Sequence, residues 1–267
     1  MYLSPSALQK LGHPDGELHC IRAAKEQGVL FVAPTFASCS MQQMTHEARV
    51  VGQVIHAHSV IACPITWRFS VHLHDYFCMW HQTLFFQLYV NSNRATSEEV
   101  VRGAEAAGCK ALVISVDSPQ LSRHERDVIK KDQQGGSAAT AATASSLVDP
   151  TLCWDDIQWF KSITKMDIIL KGLGNAEDVV LAKRHGVKGV VLSNGAGQLD
   201  SSRSGIEVLP EAMAALKEEF SAEDLEGDPC KCTPIICTVR VCQWSEEVIY
   251  VLCRFSCVRG GWDPAWI

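Results

Sequence analysis

The sequence predicts an α/β fold built on a parallel sheet, from three observations. Short apolar, β-branched runs alternate with amphipathic helical segments, each is bounded by capping or turn residues, and every run is almost uniformly apolar. Strands are predicted at Val29–Ala33, Leu84–Val90, Ala111–Val116, Ile168–Lys171 and Val187–Ser193. Thr96 followed by Glu99 reads as a capping box ahead of Val100, Val101 and Ala104, and Gly108 stands where that helix should stop. Asn175 caps a second helix through Val179, Val180 and Ala182, with Gly186 as its end. A third helix is predicted from Gly205 to Phe220, and the small, polar Gln133–Ser146 segment reads as a surface loop. Periodicity alone fits either an open doubly wound sheet or part of a barrel.

Composition narrows the function. With 267 residues and 47% hydrophobic side chains, the chain can bury a sizeable core. Its 24 Lys+Arg against 30 Asp+Glu leave a net charge of −6, which excludes a basic footprint for nucleic acid. The apolar runs at residues 29–33 and 248–253 fall far short of the roughly 20 residues that span a bilayer, so no membrane contact is expected. The start, MYLSPSALQK, lacks the pattern of a secretory signal, and a soluble, cytoplasmic protein is expected.

Two regions break the pattern. Six of the ten histidines, His46, His56, His58, His72, His74 and His81, crowd into an insert at about residues 45–83. Cys230, Cys232, Cys237, Cys242, Cys253 and Cys257 crowd into the tail, residues 230–267. The tail's cysteines form a mismatched set of spacings with no CxxC pair, and the histidine-rich stretch 54–82 has Asp75 as its sole acidic partner, so no metal is expected in either. His13, His19 and His185 read as surface or helix-end residues. The domain reading is a partial barrel over 1–229, carrying the insert, and an atypical Cys-rich tail over 230–267.

Polar residues interrupt the apolar strands at their carboxyl ends: Gln87 and Tyr89, Ser115 and Asp117, Lys171, and Ser193 with Asn194. In a barrel this is where functional groups sit. Lys171, Gln87 and Ser115 are costly to bury without partners, which favours a functional role. No G-x-G-x-x-G follows the first strand and no P-loop occurs, so the usual nucleotide loops are absent.

The segments SPSALQKLGHPDGE (4–17), APTFASCS (33–40), FFQLYVN (85–91), ISVDSPQLSRHE (114–125), IILKG (168–172) and LSNGAGQLD (192–200) resemble, in this order, the FMN-dependent α-hydroxy-acid dehydrogenases. Through SITKMDIILKG (162–172) and RSGIEVLPE (203–211) the flavour is that of fungal cytochrome b2-type L-lactate dehydrogenases. The resemblance implies an incomplete (β/α)8 TIM barrel that holds FMN and oxidises an L-2-hydroxy acid, passing electrons to a cytochrome or to oxygen. It also implies a homo-oligomer and, as an alternative location, the mitochondrion.

Residue by residue, the resemblance makes Lys171 the cation beside the flavin ring. Ser6, Ala7, Thr35, Gln87, Ser115 and Ser193 become its further contacts. Tyr89 becomes a catalytic and substrate-binding residue, Asp117 the carboxylate that orients a catalytic histidine, and Arg123 with His124 the anchors of the substrate carboxylate. The chain departs from the family where S-N-H-G-[AG]-R-Q-L-D is replaced by Ser193-Asn194-Gly195-Ala196-Gly197-Gln198-Leu199-Asp200, without the histidine or the arginine. The D-G-G-x-R strand and G-R turn that grip the flavin phosphate are replaced by the Cys-rich tail, and the first barrel strand and any haem domain are expected to be absent. Three readings follow: an impaired FMN-dependent dehydrogenase, a non-catalytic flavin-binding or protein-binding remnant, and the product of a retained intron with a shifted reading frame.

Overall fold

In the computed structural model, which describes residues 2–50, 83–117, 148–195, 201–220, 235–238 and 249–253, the strands close into a ring in chain order. They are β1 (Tyr2–Leu3), β2 (Leu30–Ala33), β3 (Leu84–Leu88), β4 (Ala111–Ser115), β5 (Asp167–Leu173), β6 (Gly189–Leu192), β7 (Ile235–Thr238) and β8 (Ile249–Cys253). Neighbours from β1 to β7 are parallel, whereas β8 runs antiparallel to both β7 and β1. The ring is thus a barrel whose β/α repeat is incomplete. One expectation is corrected: the first barrel strand is present, as the short β1 paired through Tyr2↔Leu30 and Leu3↔Phe31.

Strand periodicity explains why the strands carry so little polar alternation. Phe31, Phe86, Leu112, Ile114, Ile168, Leu170, Val190 and Leu192 pack outward in one cluster with helix residues such as Ile21, Val101, Phe160, Val179 and Val208. The intervening residues Val32, Ala111, Val113, Ile169 and Val191, with Tyr2, form a second cluster that includes no helix residue and fills the barrel interior. Both faces of β2 to β6 are covered, as parallel barrels require.

Among the described residues six α-helices surround the ring: α1 (Glu17–Glu26), α2 (Met41–Val50), α3 (Arg94–Ala107), α4 (Asp156–Ile163), α5 (Ala176–Arg184) and α6 (Gly205–Glu219). The start of α3 corrects the sequence reading. Its cap is Asn93, whose side chain accepts from the Ala95 amide at 3.1 Å, so Thr96 and Glu99 already lie within the helix. An Asn91 turn sets this earlier start, its Oδ1 accepting from the Asn93 amide at 2.8 Å. The other boundaries agree with their signals: Gly108 at φ 97° ends α3, Asn175 accepts from the Asp178 amide at 2.7 Å, and Ser204 with Glu207 forms a capping box on α6. The Gln133–Ser146 loop and His56 to His81 lie outside the described residues.

Candidate functional site

The interior positions of the strands continue into polar residues at the carboxyl mouth of the barrel. Gln87 follows Phe85 by two residues, Ser115 and Asp117 follow Val113, Lys171 follows Ile169, and Ser193 follows Val191. Period-2 geometry therefore turns all five toward the interior. All five are buried. In register, Ser115 is the direct partner of Lys171.

Burying Gln87 requires partners for both ends of its amide, and the neighbours supply them. Its Oε1 accepts from the Thr35 amide at 3.2 Å, and its Nε2 donates to Ser115 Oγ at 3.0 Å. Thr35 Oγ1 donates to the Gln87 carbonyl at 2.6 Å and accepts from the Tyr89 amide at 2.9 Å, tying the loop after β2 to the end of β3. Tyr89 lies half-buried, its ring stacked on Phe36 with centroids 5.7 Å apart. Burial, and then the negative charge of Asp117, push its hydroxyl up to about 12, against a hydrogen bond with Ser115 that pulls the other way.

Lys171 Nζ lies 3.5 Å from Asp117 Oδ2 in a buried pair. The approach depends on Gly172, at φ 110°, where a Cβ would stand 2.5 Å from Asp117 Cβ. The register of β5 against β6 shifts between Lys171 and Leu173, a bulge that re-aims this stretch at the mouth. Ser193 Oγ accepts from the Gly195 amide at 3.2 Å, and its own amide donates to the Leu173 carbonyl at 3.3 Å.

Ser6 and Ala7 lie on the connection between β1 and α1, Ser6 half-buried and Ala7 exposed. The Ser6 carbonyl accepts from Gln9 Nε2 at 3.1 Å. Leu8 adopts a left-handed conformation, φ 55° and ψ 38°, and its amide donates to the Phe36 carbonyl at 3.1 Å. That bond sets the Ser6–Ala7 stretch beside Thr35. Arg123 and His124 lie outside the described residues, as do Gln198, Leu199 and Asp200.

Sequence reasoning passed over three residues that shape this mouth. Phe36 stacks on Tyr89, and Gly172 makes room for Asp117. Glu17 is fully buried, its Oε1 accepting from the Gln9 and Ser38 amides at 3.2 and 2.8 Å and its Oε2 from the Cys39 amide at 3.0 Å. One carboxylate thus clamps the loop after β1 to the loop after β2. Burial acts to raise its pKa, but the backbone amides of Ser38 and Gln9 outweigh burial and hold it below the ordinary value. An acidic residue closing the segment PDGE was the available signal.

A ring in which β1 to β7 run parallel, with a buried lysine, carboxylate, amide and hydroxyls at its carboxyl mouth, defines an α/β barrel with a ligand site in the usual place. The family model of the FMN-dependent dehydrogenases matches residues 1–61 and 72–222. The chain is 41% identical over 229 residues to an L-lactate dehydrogenase (cytochrome) of Wickerhamomyces anomalus, covering 81% of this chain and 35% of the relative. It is 32% identical over 228 residues to 2-hydroxyacid oxidase 2 of Bos taurus, covering 80% and 56%. Among solved structures, a flavocytochrome b2 double mutant with pyruvate bound superposes with a TM-score of 0.63 at 36% identity, over 82% of this chain and 48% of that one. This chain belongs to the FMN-dependent dehydrogenase family. It spans between about a third and about half of the length of these relatives.

Proposed function

We propose that this chain binds FMN at the barrel mouth and oxidises an L-2-hydroxy acid of the L-lactate kind to the 2-oxo acid, at a rate lowered by its missing base. The observation that carries this reading is the convergence of Gln87, Ser115, Lys171 and Ser193 on one interior face. The donor set fits a flavin ring. Lys171 offers three N–H donors, and its one ion-pair partner among the described residues is the carboxylate at 3.5 Å, so an electron-rich ring edge meets a ready cation.

Bound there, FMN supplies the acceptor for the two electrons that leave the substrate. Lys171 provides a fixed positive charge in a buried setting, and Gln87, Ser115, Thr35, Ser193 and the Ser6–Ala7 backbone provide hydrogen-bonding groups for ring and ribityl chain. Tyr89 keeps its proton at neutral pH and so serves as a donor toward the substrate. Asp117 charges the floor of the site beside Lys171, and Arg123 with His124 offers a cationic anchor for the substrate carboxylate. The family's histidine is missing from the segment 193–200, which is one residue shorter than the family pattern, and losing a general base costs about 10²–10⁴ in rate. The acceptor of the electrons is a cytochrome or oxygen, as the names of the relatives suggest. The protein works in the cytoplasm, with the mitochondrion as the alternative, and forms homo-oligomers. Among the described residues no helix is long and apolar enough to cross a membrane.

Anaerobic mixing of FMN-loaded protein with L-lactate, glycolate or mandelate tests the reading. Slow bleaching of the yellow absorbance is expected; a spectrum unchanged over hours refutes turnover and leaves a non-catalytic flavin platform. A second reading, translation of a retained intron and a shifted frame, draws support from the family match, which omits residues 62–71 and stops at 222. A transcript that contains the codons for residues 46–82 as continuous exon removes it.

A further inference from the structure

We propose that His13, Asp15 and His19 form a binding site for a divalent transition-metal ion, of the zinc or copper class, on the connection between β1 and α1. Sequence reading treats these histidines as surface residues, yet the fold gathers one ligand atom from each within 4.8 Å of the others. His13 and Asp15 belong to the turn ahead of α1, His19 to its first turn, and the intervening Gly16, at φ 53°, folds the turn back over the helix. The two imidazoles stack with centroids 4.7 Å apart, which brings both rings to one side of the turn.

The local bonding leaves the ligand atoms accessible. Asp15 Oδ2 is held by Arg22 Nη1 at 2.8 Å, leaving Oδ1 for an ion, and Arg22 is itself fixed by Glu47 at 2.7 Å, the pattern of an outer-shell partner. The Asp15 amide donates to His13 Nδ1 at 3.2 Å, so that nitrogen carries the lone pair. An ion binding there exchanges one weak N–H contact for coordination, with no change of tautomer. Two imidazole nitrogens on one zinc ion stand about 3.4 Å apart, given bonds of about 2.1 Å in tetrahedral geometry. Both histidines are exposed, so side-chain rotation alone closes the remaining gap. Two nitrogens and one carboxylate oxygen select zinc or copper over magnesium, which prefers oxygen alone. The site adjoins the turn whose Gln9 amide is clamped by Glu17, so an occupying ion ties that turn to α1.

The test is equilibrium dialysis of the purified full chain against Zn²⁺, with and without excess Mg²⁺, beside a His13→Gln:His19→Gln variant checked for wild-type circular dichroism. The expected result is one bound zinc fewer per chain in the variant, and no competition by Mg²⁺ for that ion. Equal stoichiometry in the two proteins, or displacement of the ion by Mg²⁺, overturns the proposal. Should the double variant misfold, His19→Gln alone on the exposed face of α1 serves: at least a tenfold weaker affinity for one zinc supports the site, and an unchanged affinity overturns it.

Discussion

Gln87 and Ser115, 28 residues apart in sequence, meet side chain to side chain inside the barrel, Nε2 to Oγ at 3.0 Å. Each is buried, so the Gln87 amide N–H depends on the Ser115 hydroxyl, which also bonds Tyr89. Ser115→Ala removes the hydroxyl that accepts from the buried Gln87 amide and is expected to destabilise by about 1–3 kcal/mol in urea unfolding. Adding Gln87→Leu to it should cost less than the two single losses together, because both remove one interaction.

Gly172→Ala is expected to be more damaging than its small size suggests. Its positive φ costs about 1–3 kcal/mol for a residue with a Cβ, and the new methyl meets Asp117 at 2.5 Å. Gly174→Ala, where no atom lies within 4 Å of the added carbon, is the control. Thermal unfolding should show a large drop for the first and little change for the second.

Glu17→Gln replaces one acceptor oxygen by an amide group that faces backbone donors, with an expected loss of about 2–3 kcal/mol at neutral pH. Because the folded carboxyl titrates below its ordinary value of 4.5, its contribution is complete above that value. It disappears as the pH falls through the lower, folded one. Stability measured from pH 7 to 2 should therefore fall less steeply for the variant below pH 4.5. Parallel curves for variant and parent would contradict the clamp.

Tyr89 binds its proton more tightly folded than unfolded, its value rising from 10 to about 12. The associated stability is present below pH 10 and lost as the pH rises through about 12. Ultraviolet titration should show a late tyrosine component near pH 12, and Tyr89→Phe should remove it.

Much of this molecule was legible in its residues. Five strands and three helices followed from apolar runs and from the punctuation at Gly108, Asn175 and Gly205, because local chemistry dictates those boundaries. Gln87, Ser115 and Lys171 stood out because polar atoms in apolar strands demand partners. What stayed hidden depends on distance in sequence. Glu17 gathers amides from Gln9, Ser38 and Cys39, and Phe36 finds Tyr89, only once the strands are arranged side by side. β1, two residues long, is too short to carry a periodic signal. α3 starts at Asn93 because an Asn91 turn overrides the later capping pattern.

Reversing β8 changes what the molecule can offer at its two ends. A parallel eighth strand needs a crossover of about a dozen residues or more, whereas the antiparallel β7 and β8 are separated in sequence by residues 239–248. The reversed strand finishes at the floor rather than the rim. The rim therefore carries the carboxyl ends of β1 to β7 and the amino end of β8, so whatever grips the tail of a ligand through a strand's carboxyl end must come from β1 to β7.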